Sequence, residues 1–215
     1  MPAIPRVYFK EAHVMGQALL SVTSTLQQTQ YDAQHDVLTG LANRALFRIV
    51  ADQQLALCQR DDTDLTALFL DLDGFKAIND THGHATGDLL LRAVSARIVA
   101  VVREADMVAR FGGDEFAIVL LQTNVSQATA FGTRLIDALS QPYRLGEVSV
   151  RIAASIGIAS YRDFAGSDSD TLLAQADKAL YRAKALGKGR VCVASDISIN
   201  PKTGAITLSI LRSNG

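Results

Sequence analysis

Cysteine is scarce: Cys58 and Cys192 are the only two in 215 residues. They stand far apart and form no CxxC, which fits a reducing, cytosolic setting and argues against a disulfide framework. Long hydrophobic runs are missing as well. The longest candidate, LLLRAVSARIVAVV, is broken by Arg92 and Arg97 and falls short of the ~18 residues that a membrane span needs. The N-terminal MPAIPRVYFKEAH has no apolar core of the kind a secretory signal carries. No charge of one sign dominates. The formal net charge is −1 with no long basic run, which argues against wholesale binding to nucleic-acid phosphates. Internal repeats and low-complexity tracts are absent too. Apolar residues, by contrast, are ample for a core at 48% of the chain, and the length suits one domain of ordinary size with appendages.

The pattern along the chain predicts a helix over 12–35. Met15, Leu19, Val22, Leu26, Thr29 and Ala33 follow alternating spacings of four and three, a heptad seam with one polar member. Either the helix packs on its own domain or it pairs in a parallel two-stranded coiled coil. The few apolar residues beside the seam favour the coiled coil. Gly40 in DVLTGLANR breaks the pattern, and a helix follows over RALFRIVADQQLALCQ. LTALFLDLD, 65–73, is a nearly continuous apolar run that suits a strand buried on both faces, and it ends in Asp71 and Asp73. A short helix and a Gly-punctuated loop are expected over GFKAINDTHGHATG, then an apolar helix over 88–104. VARFGGDEFAIVL reads as a hairpin. Ser126 is the expected cap of a helix to about 140 with Phe131, Leu135 and Leu139 on one face. EVSVRIAASIGIAS supplies strand material. A last helix, with Leu173, Ala176, Leu180 and Ala183 inward, stops at Gly187, and RVCVAS closes the sheet. The expected class is α/β (α+β): a single mixed sheet flanked by helices, with an N-terminal helix. The expected divisions are 1–35, 36–193 and a tail, 194–215, that reads as a small hairpin around NPKTG.

The hairpin tip carries the chemistry. Gly112 and Gly113 can adopt the positive φ of a tight turn, but Asp114 and Glu115 then stand side by side and repel. If the hairpin pairs beside the 65–73 strand, Asp71 joins them. Three converging carboxylates are unfavourable without a cation, and Mg²⁺ takes hard oxygen ligands while leaving positions for substrate phosphates. Lys76 lies nearby in sequence. This is the pattern of two-metal phosphoryl transfer. The plain alternative, an acidic turn on a solvated surface, fits the Asp-Glu pair alone but leaves Asp71 and the double glycine unexplained.

DVLTGLANR, LDLDGFKAINDTHGHATGD, RFGGDEFAIVL, ASIGIA and ADKALYRAKALGKGR, in this order and spacing over 36 to about 192, resemble the GGDEF-domain diguanylate cyclases. The resemblance implies a fold similar to the nucleotidyl cyclase and polymerase palm. It implies condensation of two GTP into cyclic di-GMP with release of two pyrophosphates, across a homodimer in which each subunit holds one GTP. It further implies two Mg²⁺ per active site, replaceable by Mn²⁺. Asp71 and Asp114 match the metal ligands, assisted by the backbone carbonyl of Leu72. Glu115 matches an acid that binds the second metal or helps deprotonate the 3′-hydroxyl. Asn79 and Asp88 match guanine-reading positions: a carboxylate accepts from guanine N1–H and its exocyclic amine, and adenine lacks that donor pair. His84 matches a further substrate-side position; as a plain loop histidine it would bond the HGHATGD turn. Gly112 and Gly113 let the backbone approach ribose and phosphates. Lys76, Lys184 and Lys188 resemble phosphate partners. Lys184 and Lys188, four apart, are expected on one helix face; the plain alternative is a pair of solvated lysines at a helix end. The family often has Gly-Arg-Asn where this chain has Gly187, Lys188 and Gly189. Lysine keeps the charge but loses the bidentate fork, which bears on GTP affinity rather than on the activity class.

Arg103 and Asp106 form RxxD upstream of the hairpin. They match the family's product-inhibition site, with Arg134 as its secondary arginine. Arginine can bind guanine O6 and N7 bidentately; the plain alternative is a helix-end salt bridge. The competing function is a catalytically silent GGDEF receptor that binds cyclic di-GMP or GTP and regulates a partner. Retention of Asp71, Asp114 and Glu115 favours the enzyme. The expected location is the cytoplasm, or the cytoplasmic part of a longer membrane-bound sensor. No nucleic-acid partner and no membrane span in this chain are expected.

Overall fold

The computed structural model describes residues 20–25, 28–199 and 206–208. Residues 20–25 and 28–34 are helical. The seam positions Met15, Leu19 and Leu26 lie outside the described residues. Val22 is 55% exposed, and no side chain before Gln34 in the described helix is buried. Packing of this helix on its own domain therefore does not hold over the described stretch.

A turn at Asp36–Gly40 leads into α1 (Arg44–Asp61), which begins at Asn43 because its side chain accepts from the backbone N–H of Ala45 and Leu46. β1 (Leu65–Asp73) is buried along its first six residues and again at Leu72. Gly74 then turns the chain with φ of 86° into α2 (Phe75–His82). Gly83 alone separates α2 from α3 (His84–Val99). The loop expected up to Asp88 is therefore mostly helix, because one positive-φ glycine re-aims the chain and nothing in HATG opposes a first helical turn. α3 also stops short of 104. Val101 and Val102 both donate to the carbonyl of Ile98, and the Asp106 carboxylate captures the Arg103 N–H, which closes a turn instead.

β2 (Met107–Gly112) and β3 (Glu115–Leu121) form the expected hairpin. α4 (Val125–Leu139) is capped by Asn124 rather than Ser126. Asn124 and Gln127 satisfy each other's backbone N–H in a capping box, which places Ser126 inside the first turn. β4 (Tyr143–Leu145) and β5 (Val148–Val150) make a separate small ribbon. β6 (Ala153–Ser160), a 3₁₀ turn (Tyr161–Phe164), α5 (Ser169–Ala185) and β7 (Val191–Val193) follow. β8 (Ile197–Ile199) and β9 (Ile206–Leu208) pair with each other, apart from the main sheet.

The main sheet has the order β2-β3-β1-β6-β7, antiparallel except for β6 beside β7. Both of its faces are covered, which is why β1 reads as a continuous apolar run. Leu68, Leu70 and Leu72 pack with α3 and α4. Leu65, Ala67 and Phe69 pack with α1 and α5. α5 lies unusually close to the sheet. It presents Ala176, Ala179 and Ala183 to β6, where Gly157 pairs with Phe69 of β1. A Cβ on Gly157 would sit 1.9 Å from the Ala176 carbonyl oxygen and 2.2 Å from the Leu180 nitrogen. Backbone cannot yield as a side chain does. Gly157→Ala is therefore expected to cost about 3 kcal/mol of stability, the upper end of ordinary overpacking. The measurement is the midpoint of urea unfolding, and a wild-type midpoint would refute this close approach.

Candidate active site

Pairing of β3 with β1 aligns seven residue pairs, from Leu65 opposite Leu121 to Asp71 opposite Glu115. The two acids are thus cross-strand partners at the end of the sheet. Backbone bonding continues one step further, where the Leu72 N–H donates to the Asp114 carbonyl at 3.2 Å. Asp71 alternates with Leu70 and Leu72, so it shares the face of β1 that packs against α5. From the last turn of α5 the Lys184 ammonium lies 2.7 Å from Asp71 Oδ2, with the Asp71 side chain only 13% exposed. Burial pushes the Asp71 carboxyl above the usual range; Lys184 opposes this, while Asp114 and Asp73 add to it. Glu115 is also raised, by burial first and then by Asp71, Asp114 and Asp177. Repulsion among these acids is therefore present, and a lysine answers part of it.

The tip that carries Asp114 is held from behind. Gly112 and Gly113 take φ of 138° and 51°, and the space where their side chains would stand is open. Arg110 donates from Nε and a terminal nitrogen to the Gly113 carbonyl, at 3.1 and 2.8 Å. Its other terminal nitrogen bonds both carboxylate oxygens of Asp36. Burial works to raise the Asp36 carboxyl, but Thr39 and Arg110 together hold it below the ordinary value. This clamp ties the DVLTG turn at the base of the N-terminal helix to the hairpin tip. The sequence reading missed it, although an arginine two residues before the double glycine was its signal.

Asn79, on α2, is packed against Gly87 of α3. A Cβ there would fall 1.8 Å from Asn79 Oδ1, and that oxygen is buried with no partner among the described residues. Only glycine at 87 lets the amide sit where it does. Asp88 and His84 stand exposed in the opening turns of α3, and Lys76 is exposed on α2. Lys188 departs from expectation. The helix has ended by Ala185, Gly187 turns the chain with φ of 111°, and Lys188 itself has φ of 64°. Lys184 and Lys188 consequently do not share a helix face.

Three further acids were given no role by the sequence reading. Asp73 accepts from Ser155 Oγ and the Gly189 N–H. Asp177 and Asp170 line a cavity of about 530 Å³ with Glu115, Phe111 and Arg44. The Arg44 guanidinium lies over the Phe111 ring there, 5.4 Å from its centroid.

Arg103, Asp106 and Arg134 line a separate cavity of about 260 Å³ with Leu120, Gln127 and Phe131. The Asp106 carboxylate accepts the backbone N–H of Arg103 and of Leu121, each at 3.1 Å. The two side chains of RxxD form no ion pair with each other, so the simple helix-end salt bridge does not occur.

The family profile described as "Diguanylate cyclase, GGDEF domain" matches residues 33–190. The chain belongs to the GGDEF domain family. Two Pseudomonas aeruginosa proteins illustrate the relationship. The bifunctional diguanylate cyclase/cyclic di-GMP phosphodiesterase MucR is 44% identical over 160 residues, covering 74% of this chain and 23% of MucR. Diguanylate cyclase TpbB is 40% identical over 161 residues, covering 74% of this chain and 37% of TpbB. Other relatives are named cyclic di-GMP phosphodiesterases, such as NbdA at 41% identity over 156 residues. The chain spans only 23%, 15% and 20% of the length of MucR, the probable diguanylate cyclase DgcE of Escherichia coli, and NbdA. Among solved structures, the coiled coil and GGDEF domain of Caulobacter crescentus DgcB, in complex with c-di-GMP, matches with a TM-score of 0.78. Identity there is 28%, with 88% of this chain and 100% of that one covered. The isolated TpbB GGDEF domain matches with a TM-score of 0.71 at 39% identity, covering 74% of this chain and 94% of that one. The mixed sheet with helices on both faces is thus the GGDEF, palm-like fold.

Among the described residues of this GGDEF domain, no group of three or more acid, histidine or cysteine side chains is preassembled around a cation position. The donor chemistry nevertheless fits a divalent ion. Asp71 and Glu115 are hard oxygen donors whose ionised forms are disfavoured as they stand, and among the described residues the only salt bridge to Asp71 comes from the ammonium of Lys184.

The raised Glu115 carboxyl has a consequence for stability. The folded state holds that proton more tightly than the unfolded chain does, so ionisation weakens the fold as pH rises past the ordinary glutamate value and leaves a constant deficit above the raised one. With chelator present, Glu115→Gln is expected to unfold at higher urea than wild type at pH 7, and the gap should close below about pH 4. Identical midpoints at pH 7 would show that these acids do not strain the fold.

Proposed function

We propose that this domain condenses two GTP into cyclic di-GMP, releasing two pyrophosphates. The observation that carries this reading is the register that sets Asp71 against Glu115 beside the GGDEF turn, with Lys184 on Asp71. In the reaction, each 3′-hydroxyl oxygen bonds to the α-phosphorus of the other nucleotide, and the bond from that phosphorus to the pyrophosphate oxygen breaks. Asp71, Asp114, Glu115 and the Leu72 carbonyl would hold two magnesium ions. When bound, these polarise the α-phosphate and offset the charge of the leaving pyrophosphate. The chain's own residues do the rest. Asn79 and Asp88 read the guanine edge, with His84 beside them. Lys76, Lys184 and Lys188 meet the phosphates, Lys184 by leaving Asp71. Gly112 and Gly113 keep the space over the turn clear.

One domain holds one GTP, so the reaction needs a second copy. The exposed N-terminal helix suits a parallel pair, and the DgcB structure that matches contains a coiled coil. We accordingly divide the chain into a dimerising signalling helix (1–35), the cyclase domain (36–193) and a tail (194–215). A cytoplasmic site, where GTP and magnesium are supplied, suits this chemistry, with a sensor in a longer protein as its input. Among the described residues no helix is long and apolar enough to cross a membrane. A silent receptor would have no need of the acids that strain the site, which favours the enzyme.

Incubation with GTP and Mg²⁺ followed by chromatography tests the reading. Wild type should yield cyclic di-GMP and pyrophosphate, ATP should yield no cyclic dinucleotide, and Asp71→Ala should lose all detectable product while remaining folded. Wild-type-level product from Asp71→Ala would remove Asp71 from the site.

The cavity lined by Arg103, Asp106 and Arg134 suits the product's guanine, which Arg103 would bind through O6 and N7. Arg103→Ala removes a contact worth ~1–3 kcal/mol, so product affinity should fall by roughly ten- to a hundredfold. The full progress curve, with and without a phosphodiesterase, reads this out. Wild type should slow as product accumulates and the variant should not. A wild-type curve that the phosphodiesterase leaves unchanged would refute feedback through this cavity.

A further inference from the structure

β1 ends Asp-Leu-Asp, and its period of two puts Asp73 on the same face as Asp71. Asp71 takes a lysine; among the described residues Asp73 takes none. Its Oδ2 accepts the Ser155 hydroxyl at 2.8 Å and the Gly189 N–H at 3.1 Å, and the same N–H lies 3.2 Å from Ser155 Oγ. Ser155 is fully buried and is the β6 partner of Asp71. These contacts join β1, β6 and the turn after α5 at one point.

That turn is not self-supporting. Gly187, Lys188 and Gly189 have φ of 111°, 64° and 56°, three consecutive residues in the left-handed region, and lysine is disfavoured there. At its start the turn is tied to the helix, since Gly187 N–H donates to Lys184 and Lys188 N–H to Ala183. After it, the Arg190 carbonyl accepts from Ile156 on β6. Gly189, between these anchors, bonds to Asp73 and Ser155. A carboxylate accepting a backbone N–H makes a charge-assisted bond, stronger than a neutral one.

We propose that Asp73 is a positioning residue for the phosphate side of the site, holding the Gly187–Lys188–Gly189 turn against the end of the sheet. This rests on the reading of Lys184 and Lys188 as phosphate partners. Its role is to hold the backbone next to Lys188, in the turn that follows Lys184, rather than to meet substrate or reacting atoms. Misplacement of a binding group by about 1 Å is enough to lose much of its contribution. Loss of the latch should therefore weaken GTP binding and leave the chemical step nearly intact once GTP saturates.

Two variants and two readouts test this. Asp73→Ala removes both acceptor bonds, whereas Asp73→Asn keeps an oxygen that can accept both. Amide hydrogen exchange at Gly189, followed by NMR, is expected to quicken by about tenfold in Asp73→Ala and to stay near wild type in Asp73→Asn. In steady state, KM for GTP should rise by about tenfold in Asp73→Ala with kcat within about a factor of two, and Asp73→Asn should restore KM. Unchanged Gly189 exchange in Asp73→Ala overturns the latch. So does a kcat loss of tenfold or more shared by Asp73→Ala and Asp73→Asn, because the charge itself would then act on the reacting groups. If wild type makes no product from GTP while Gly189 exchange responds as expected, the latch stands and the cyclase reading falls.

Discussion

The site depends on one constraint, the register of β3 against β1. Side chains on a strand alternate between faces, so a slip of one residue would send Asp71 or Glu115 to the opposite face and bury the wrong set of apolar residues. The register is fixed by what lies behind the acids. Leu68, Leu70 and Leu72 must meet α3 and α4, while Leu65, Ala67 and Phe69 must meet α1 and α5. With both faces committed, no alternative pairing keeps the core. The hydrophobic burial that stabilises the domain thus also aims the carboxylates.

What the core positions, electrostatics resists. Burial is the first cause that raises the carboxyls of Asp71 and Glu115; Asp114 and Asp73 add to it at Asp71, and Asp71, Asp114 and Asp177 add to it at Glu115. Lys184 opposes the rise in both and pairs directly with Asp71. A fold built for stability alone would have a neutral pair at the end of β1. Destabilised acids at a sheet end mark a place where function overrides stability, and a divalent cation would relieve the strain.

Two polar links connect this centre to the parts that could modulate it. Arg110 is almost fully withdrawn from solvent, with its side chain 10% exposed, and it spans from Asp36 at the base of the N-terminal helix to the carbonyl of Gly113. The helix base and the turn are therefore joined through one side chain. On the other flank, close packing of α5 on Gly157 brings Lys184 within reach of Asp71. The acidic end of the sheet is thus met by Arg110 at the Gly113 carbonyl and by Lys184 at Asp71.

Much of this was legible in the sequence. The two-faced apolar run of β1, the 3.6-residue stripe of α5 and the Gly-Gly turn each follow from local periodicity and backbone freedom, which depend on neighbours in the chain. The acids of the turn were legible too, because adjacent carboxylates at a tight turn have no structural use. Helix ends were less so. The cap of α4 moved to Asn124 because a reciprocal side-chain bond outweighs a lone serine, and α3 began at His84 because one glycine sufficed as a break. Only the tertiary structure decided that Lys184 lies on Asp71 while Lys188 leaves the helix, that Asp73 reaches Gly189, and that Arg110 joins Asp36 to the turn. Those contacts join residues between 74 and 116 positions apart or turn on a single left-handed residue. Sequence spacing carries periodicity but not the distance between elements, and that distance is set by how closely small residues such as Gly157 allow a helix to approach the sheet.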